Sequence, residues 1–225
     1  MEFEPAGVDG IIIYFDDKID EKTSLKIGFY YRRLKSLNDP DILSIIPSYT
    51  TLFIRYDLKR YDFTSFVNYI KDRFLRFKNN KDESKEQKRL IIPVYYDLEV
   101  GYDLQRVAKL NSITVDEVIT LHSKREYLVY TIGFLPGFAY LGTVDEKIAA
   151  KRLEHPRDMI PKGSVAIADT QTAVYPKDSP GGWNIIGRTT LDMIDSKFNT
   201  IVQMGDIVKF EPVSKSEFLK NGGKI

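Results

Sequence analysis

One polar stretch divides this chain and limits what the rest of it can fold into. Lys78–Arg89 reads KNNKDESKEQKR, twelve consecutive residues without an aliphatic or aromatic side chain. Such a segment has nothing to bury, so it predicts a solvated connection and not a piece of a core. It separates about 80 residues from about 135, and both are ordinary domain sizes. We therefore predict two domains, at residues 1–88 and 89–225.

The first domain is predicted to be α+β, with a ferredoxin-like βαββαβ order. GIIIYF, at Gly10–Phe15, is typical of a buried strand. Helices are predicted over about 22–37 and 63–77, where apolar residues recur on one face. ILSIIP and TTLFIRYD predict two strands between the helices, and RLIIPVYYD predicts the last strand. This order is typical of helices layered on one sheet.

The second part of the chain has a different character. Short helices are predicted at Asp103–Leu110 and Val115–His122, and Thr114 with Glu117 forms a capping-box pattern before the second of them. From Tyr127 onward the apolar runs are short and broken by glycine and proline: YLVYTIGF, SVAIAD, TAVYP, WNIIG and IVKFEP. Strands of that length predict a β-barrel or a β-sandwich. The final SKSEFLKNGGKI predicts a short helix and a frayed end.

Composition excludes several classes of function. Lys plus Arg is 33 against 32 for Asp plus Glu, so there is no global basic field to hold nucleic acid. No apolar run approaches the roughly 20 residues that cross a bilayer, and MEFEPAGVDG has no signal-peptide pattern. The absence of cysteine excludes disulfides and thiolate catalysis. We expect a cytoplasmic protein that binds neither nucleic acid nor a membrane.

Familiar catalytic motifs are missing. The two histidines, His122 and His155, are far apart, so no zinc site is predicted. His122 continues the apolar face of its helix, which favours a packed, hydrogen-bonded structural side chain. No serine lies in a G-x-S-x-G elbow, and neither a P-loop nor a G-x-G-x-x-G pattern occurs. A Ser-His-Asp triad stays open, because its members need not be close in sequence.

Three stretches concentrate the conformationally special residues: GFLPGFAYLG (133–142), PKGSVAIADTQT (161–172) and YPKDSPGGWNIIGRTT (175–190). Their glycines and prolines predict demanding turns. Such turns can also present backbone N–H groups to an anion, or aromatic walls to a ligand or a partner protein. From the residues alone, an aromatic-packed corner of a barrel and a binding surface both stay open.

In this order, the three stretches resemble the family of the 5-oxoprolinase B subunit, also called kinase A inhibitor and allophanate hydrolase subunit 1. IPVYYD, DLQRVAKLNSITVDEVITLHS, YLVYTIGF, GIIIYF and IPSYTTLFIRYD extend the resemblance over essentially the whole chain. The resemblance implies that the second domain is a cyclophilin-like β-barrel. It also implies a relationship to the carboxyltransferase domain of biotin enzymes such as urea carboxylase.

The resemblance further implies a function within a complex. As the B subunit, the chain would act with an A and a homologous C subunit to open 5-oxo-L-proline to L-glutamate at the expense of ATP. ATP, with Mg²⁺, would be bound by the complex, and no cofactor would be attached to this chain. Two other functions stay open: inhibition of a sensor histidine kinase by direct binding, and a role in a biotin-dependent urea- or allophanate-processing system.

Candidate contacts to substrate follow from the resemblance on the three stretches. The polar parts of a ligand would be held by Arg188, Gln171, Thr172 and the turn after Ser179. Aromatic side chains would enclose the ligand. The candidate residues are Phe138, Tyr140, Gln171, Thr172, Tyr175, Ser179, Gly181, Gly182, Trp183 and Arg188. No catalytic base and no metal ligand is assigned.

Three positions depart from the family's usual pattern. Ala139 stands where proline is usual, and Asp169 and Thr170 stand where two glycines are usual. Replacing glycine adds side chains where a backbone would approach a ligand closely, and Asp169 adds a negative charge that is unfavourable beside phosphate. These departures bear on the substrate more than on the fold.

Overall fold

The computed structural model describes residues 1–79, 87–197 and 199–225. The chain divides into two compact units, Met1–Gln87 and Lys88–Ile225. Most of the polar connection predicted at Lys78–Arg89 lies outside the described residues. The predicted fold class is confirmed, since a small unit of helices on a sheet precedes a barrel-like unit.

The first unit is a four-stranded antiparallel sheet with two helices. Its strands are β1 (Glu2–Pro5), β2 (Gly10–Tyr14), β3 (Ile42–Pro47) and β4 (Thr51–Tyr56), and its helices are α1 (Glu21–Ser36) and α2 (Phe63–Asn79). The strand order is β1-β2-β4-β3. Alternate residues such as Ile11, Ile13 and Ile54 are fully buried, because successive residues of a strand point to opposite faces and one face packs on the helices.

One strand predicted for the first unit belongs to the second. RLIIPVYYD forms β5 (Arg89–Val94), which pairs in parallel with β13 (Ile207–Pro212) in the larger sheet. The edge position beside β2, which the last strand of a βαββαβ unit would take, is filled by β1. The observed order is therefore ββαββα. Burial explains the difference, because Ile92 and Val94 of β5 are fully enclosed in the core of the second unit.

The second unit is built around a seven-stranded sheet with the order β12-β9-β10-β7-β6-β13-β5. The strands not yet given are β6 (Glu126–Ile132), β7 (Ala139–Gly142), β9 (Ser164–Ala168), β10 (Gln171–Val174) and β12 (Asn184–Arg188). A two-stranded sheet pairs β8 (Arg157–Ile160) with β11 (Ser179–Gly181). The helices are α3 (Leu104–Leu110), α4 (Val115–Lys124) and α5 (Lys215–Lys220), with a 3₁₀ turn at Glu146–Ile148.

One pair of backbone hydrogen bonds joins the two ends of the seven-stranded sheet. Tyr95, directly after β5, donates to Arg188 over 2.8 Å, and Arg188 donates to Tyr95 over 2.9 Å. This bridge makes β5 and β12 neighbours, so the sheet is a nearly closed barrel. Apolar side chains from all seven strands fill its main core, together with residues of α3 and α4.

Candidate functional site

Successive residues of a strand point to opposite faces of the sheet, so the strands in the three glycine- and proline-rich stretches have side chains both inside and outside the barrel. On β9, Val165 and Ile167 join the main core, whereas Ala166 and Ala168 join a second buried cluster on the opposite face of the sheet. The second cluster also holds Phe138, Tyr175 and Trp183, with Tyr140 packed against it. Four predicted aromatic residues from two distant stretches therefore meet on the outer face of the barrel.

Phe138 is the centre of this aromatic face. Its ring centroid lies 4.9 Å from that of Tyr140, 5.2 Å from Tyr175 and 5.5 Å from Trp183, in edge-to-face geometry each time. Such pairs contribute roughly 0.5–1.5 kcal/mol each beyond their burial. Phe138, Tyr175 and Trp183 are buried, so they support the face, while Tyr140 is half-buried. The guanidinium of Arg152 lies 5.8 Å from the Trp183 ring centre.

The turn before Trp183 is shaped by close packing. A Cβ on Gly181 would lie 2.3 Å from the Tyr175 hydroxyl, so the strand approaches the ring only because this residue is glycine. Gly182 has ordinary space around it, and its carbonyl accepts from the Leu153 N–H over 2.7 Å. Burial raises the pKa of Tyr175 to about 12, which keeps its phenol neutral at physiological pH. The Ser179 hydroxyl is buried, without a hydrogen-bond partner among the described residues.

Thr172 lies apart from the aromatic face, inside the barrel. Its Oγ1 is 2.8 Å from Nε2 of His122, and Nδ1 of His122 is 2.7 Å from the Tyr96 hydroxyl. His122 is fully buried, which lowers its pKa to about 3 and leaves the ring neutral. The prediction that His122 is a packed, hydrogen-bonded structural residue is confirmed. Gln171, half-buried, begins β10 opposite Ala168 and Gly142.

Arg188 also lies apart from the four aromatic residues. Its Nη1 donates to the Lys224 carbonyl over 3.0 Å, and its Nη2 donates to the Tyr102 hydroxyl over 2.9 Å. Arg188 lines a cleft of about 520 Å³, and none of the four aromatic residues is in that lining. The structure thus places the predicted site residues in three different surroundings: the aromatic face, the interior of the barrel and the cleft.

Sequence reasoning missed a buried polar pair that fixes β12. Asp103 accepts two hydrogen bonds of 2.8 Å from Arg157 and one of 2.8 Å from the Ile185 N–H. The neighbouring Asn184 side chain donates to the Ile167 carbonyl over 3.0 Å and accepts from Arg106. No spacing in the sequence signals these partners, because they come from segments that meet only in the folded barrel.

Donor sets for a metal ion are absent from the parts of the chain that the structure describes, since no three His, Cys, Asp or Glu side chains cluster there. In the same described ranges, no helix has both the length and the apolar character to cross a membrane.

The sequence of this chain is similar to that of a known protein family and of named bacterial proteins. The family described as "Carboxyltransferase domain, subdomain C and D" matches residues 1–203. This chain belongs to that family. Within it, the chain is 35% identical over 227 residues to the 5-oxoprolinase B subunit of Bacillus subtilis (strain 168), covering 96% of this chain and 95% of the relative. It is 36% identical over 212 residues to the 5-oxoprolinase B subunit of Haemophilus influenzae, covering 93% and 97%.

Two solved structures share the fold. TTHA0988 superposes with a TM-score of 0.78 at 31% identity over 92% of this chain, but this chain spans only 40% of TTHA0988. Kluyveromyces lactis urea carboxylase superposes with a TM-score of 0.70 at 15% identity, over 97% of this chain and 22% of that one. The second similarity shows the fold alone. The predicted resemblance to the 5-oxoprolinase B subunit family is confirmed by the two bacterial relatives.

Proposed function

We propose that this chain is the B subunit of a complex that, with its A and C subunits, opens 5-oxo-L-proline to L-glutamate at the expense of ATP. The observation that supports this function best is the similarity to relatives named as the B subunit of 5-oxoprolinase. It extends over 95% and 97% of those relatives, so it is not limited to one shared domain.

The chemistry explains why such a complex consumes ATP. A five-membered lactam is an unactivated amide, and transfer of a phosphoryl group from ATP to its carbonyl oxygen makes C5 electrophilic. Water then adds to C5, the C5–N bond breaks as the nitrogen takes a proton, and a second water releases phosphate. The products are glutamate, ADP and phosphate. Catalysis of this kind requires positioning of the small ring and stabilisation of anionic charge.

We propose that the loop before Phe138 is the part of the aromatic face that contacts the substrate or another subunit. Phe134 is 61% exposed and packs edge-to-face on Phe138 at 5.4 Å. Its φ of +66° lies in the left-handed region, which costs a non-glycine residue about 1–2 kcal/mol. Because Phe134 is exposed and held in an unfavourable conformation, we infer that it contacts a substrate ring or another subunit and does not have a purely structural role.

ATP and its Mg²⁺ are substrates of the whole complex in this proposal. Within that complex, the contribution that we propose for this chain is positioning of the small ring and assembly with the other subunits.

Reconstitution tests the function directly. The chain is purified with the A and C subunits, and glutamate released from 5-oxo-L-proline is measured with and without ATP. We expect release only when all three subunits and ATP are present. No release from a folded, associated mixture would overturn the proposed function.

A matched pair of variants tests the role of the loop. Phe134→Ala is expected to lower glutamate release with no more than a small fall in the melting temperature, because the side chain is 61% exposed and loses only its edge-to-face contact with Phe138. Leu110→Ala, which removes an exposed apolar side chain from α3, is expected to leave release unchanged. Equal activity in the two variants would remove the loop from the proposal while leaving the function itself standing.

A further inference from the structure

The cleft around Arg188 has the size and the walls of a small-molecule site. Its volume of about 520 Å³ lies within the roughly 300–1,000 Å³ usual for ligand pockets. Three chain segments form most of its walls, at residues 161–163, 188–192 and 221–224, and Asp178 adds a carboxylate.

The charge of Arg188 is not balanced by the protein around it. Only 7% of the residue is exposed, and the two oxygens that accept from its guanidinium, on Lys224 and Tyr102, are neutral. In the described ranges no ion pair includes Arg188, and its Nε is buried without a hydrogen-bond partner. A buried charge without a counter-ion is unfavourable, so this arginine is poised for an anion.

A neighbouring arginine, Arg157, is paired with a carboxylate, as Arg188 is not among the residues that the structure describes. The guanidinium carbons of Arg157 and Arg188 lie 5.9 and 5.8 Å from the centre of the same Tyr102 ring. Arg157 is neutralised by Asp103 through two hydrogen bonds of 2.8 Å. Of these two similar side chains, only Arg188 lines the cleft and only Arg188 has no carboxylate partner in the described structure.

We propose that this cleft binds a small anion whose carboxylate or phosphate group pairs with Arg188. A charged acceptor makes a stronger hydrogen bond than a neutral carbonyl, so the anion would replace the Lys224 carbonyl on the guanidinium. Lys162 on the wall adds a second positive charge. Its partner Asp192 is exposed, as Lys162 is, so their pairing is weak and yields readily to a ligand.

Glycines shape two walls of the cleft. Gly163 has a φ of +81°, and a Cβ there would lie 2.1 Å from the Thr189 carbonyl oxygen, so this wall is fixed by close backbone packing. The opposite wall, residues 221–224, has no regular structure and contains Gly222 and Gly223. The Gly222 N–H donates to the Leu219 carbonyl over 3.0 Å and the Gly223 N–H to the Phe218 carbonyl over 2.9 Å. The Lys224 carbonyl, which follows these two anchored glycines, is the group that an anion would replace on the guanidinium.

The acidic groups in the cleft limit how much negative charge a bound ligand can carry. Asp178 and Asp192 line the same space as Arg188 and Lys162, so a nucleoside triphosphate would meet repulsion. A single carboxylate or phosphate suits these walls better. The use of 5-oxo-L-proline as one probe rests on the proposed function, whereas the anion site itself does not.

Binding to the isolated full chain tests the proposal without any turnover. Calorimetric titrations use 5-oxo-L-proline, inorganic phosphate and 2-pyrrolidinone, which is the same lactam without a carboxylate. We expect one or both anions to bind and 2-pyrrolidinone not to bind. Binding of phosphate alone would assign the site to a phosphoryl group, and binding of 5-oxo-L-proline alone to a carboxylate.

Matched arginine variants locate the site. Arg188→Gln keeps a polar amide near the position of the arginine Nε but removes the charge, and it is expected to weaken anion binding at least about tenfold. Arg125→Gln, at an exposed arginine paired with Asp145, is expected to bind like the wild type. Should Arg188→Gln fail to fold, the Nε–H resonance of Arg188 in the wild type is followed instead, and it is expected to shift on titration.

Three results would overturn the proposal: no binding of either anion, equal binding of 2-pyrrolidinone, or an Arg188 resonance that does not respond. These outcomes are separable from failure of the proposed function. If the complex is active but no anion binds at Arg188, only the proposed anion site is wrong. If an anion binds but the complex is inactive, only the proposed enzymatic function is wrong.

Discussion

His122 shows how one buried side chain links the stability of the barrel to pH. The ring is fully enclosed, stacks on Phe210 at 4.6 Å and bonds to Tyr96 and Thr172 through its two nitrogens. Its pKa is lowered from 6.5 to about 3 because burial disfavours the charged ring. The unfolded chain therefore takes up a proton in a pH range where the folded chain does not.

We expect the free energy of unfolding to fall as the pH drops from about 6.5 toward 3. For this one group, the loss reaches roughly 2 kcal/mol at pH 5. Urea unfolding followed by fluorescence of the single tryptophan, at pH 7 and pH 5, measures it. His122→Gln is expected to be less stable at pH 7 but to lose less stability between the two values. Equal losses in both proteins would show that His122 does not set this dependence.

Asp169 shows what a residue-by-residue sequence comparison can foresee. The resemblance marks it as a departure from a usual glycine, and the structure gives it a φ of +52°, in the left-handed region. Aspartate tolerates that region better than most residues do. Asp169 also exchanges backbone hydrogen bonds of 2.7 and 3.2 Å with Ala150. The departure therefore preserves the turn while placing a carboxylate on it.

At the scale of elements, α4 forms as its local sequence predicts. The Glu117 carboxylate accepts from the Thr114 N–H over 2.7 Å, and Thr114 Oγ1 accepts from the Glu117 N–H over 3.2 Å. The capping box is confirmed. It could be predicted because all of its partners lie within four residues of one another.

Removing this cap should have a measurable effect. Thr114→Ala is expected to lower the free energy of unfolding by about 1 kcal/mol, since a backbone N–H loses its acceptor. The matched control is Thr120→Ala, at an exposed position within the same helix, which should be neutral or slightly stabilising. Urea denaturation of both variants gives the comparison. A loss as large in the control as in the cap variant would contradict the interpretation.

Other elements could not be placed from local signals. The apolar pattern of β5 is the same whether its partner is β2 or β13, and only the folded barrel decides between them. β1 reads EFEP and has no apolar run. The short β7, β8 and β11 were missed for a related reason, because strands of three or four residues are defined by non-local partners and not by their own composition.

At the scale of the whole molecule, the register of the strands decides the site. The family resemblance groups the four aromatic residues, and they meet in the structure although their two stretches are distant along the chain. It could not separate Thr172, which points into the barrel, from Ala173 beside it, which points outward. That separation depends on which face of β10 is enclosed when the sheet closes.

Closure of the barrel depends on a glycine. A Cβ on Gly187 would lie 2.9 Å from both the Tyr95 carbonyl oxygen and Cγ1 of Val94. We expect Gly187→Ala to lower stability by roughly 1–3 kcal/mol through overpacking. Gly133→Ala, where nothing lies within 4 Å of the added atom, is the control. Thermal unfolding of the two variants distinguishes them, and equal melting temperatures would show that the joint between β5 and β12 tolerates the methyl group.

The pairing of β5 with β13 also has a consequence for the order in which the molecule can be made. β5 is the first strand of its unit to leave a ribosome and β13 is the last, yet the two are neighbours in the sheet. Until β13 has been synthesised, β5 lacks the strand that pairs with it in parallel, and its apolar side chains have no finished core to enter. The first unit can fold while translation continues, but the barrel must wait, and a nascent chain would expose these strands to chaperones until it is complete.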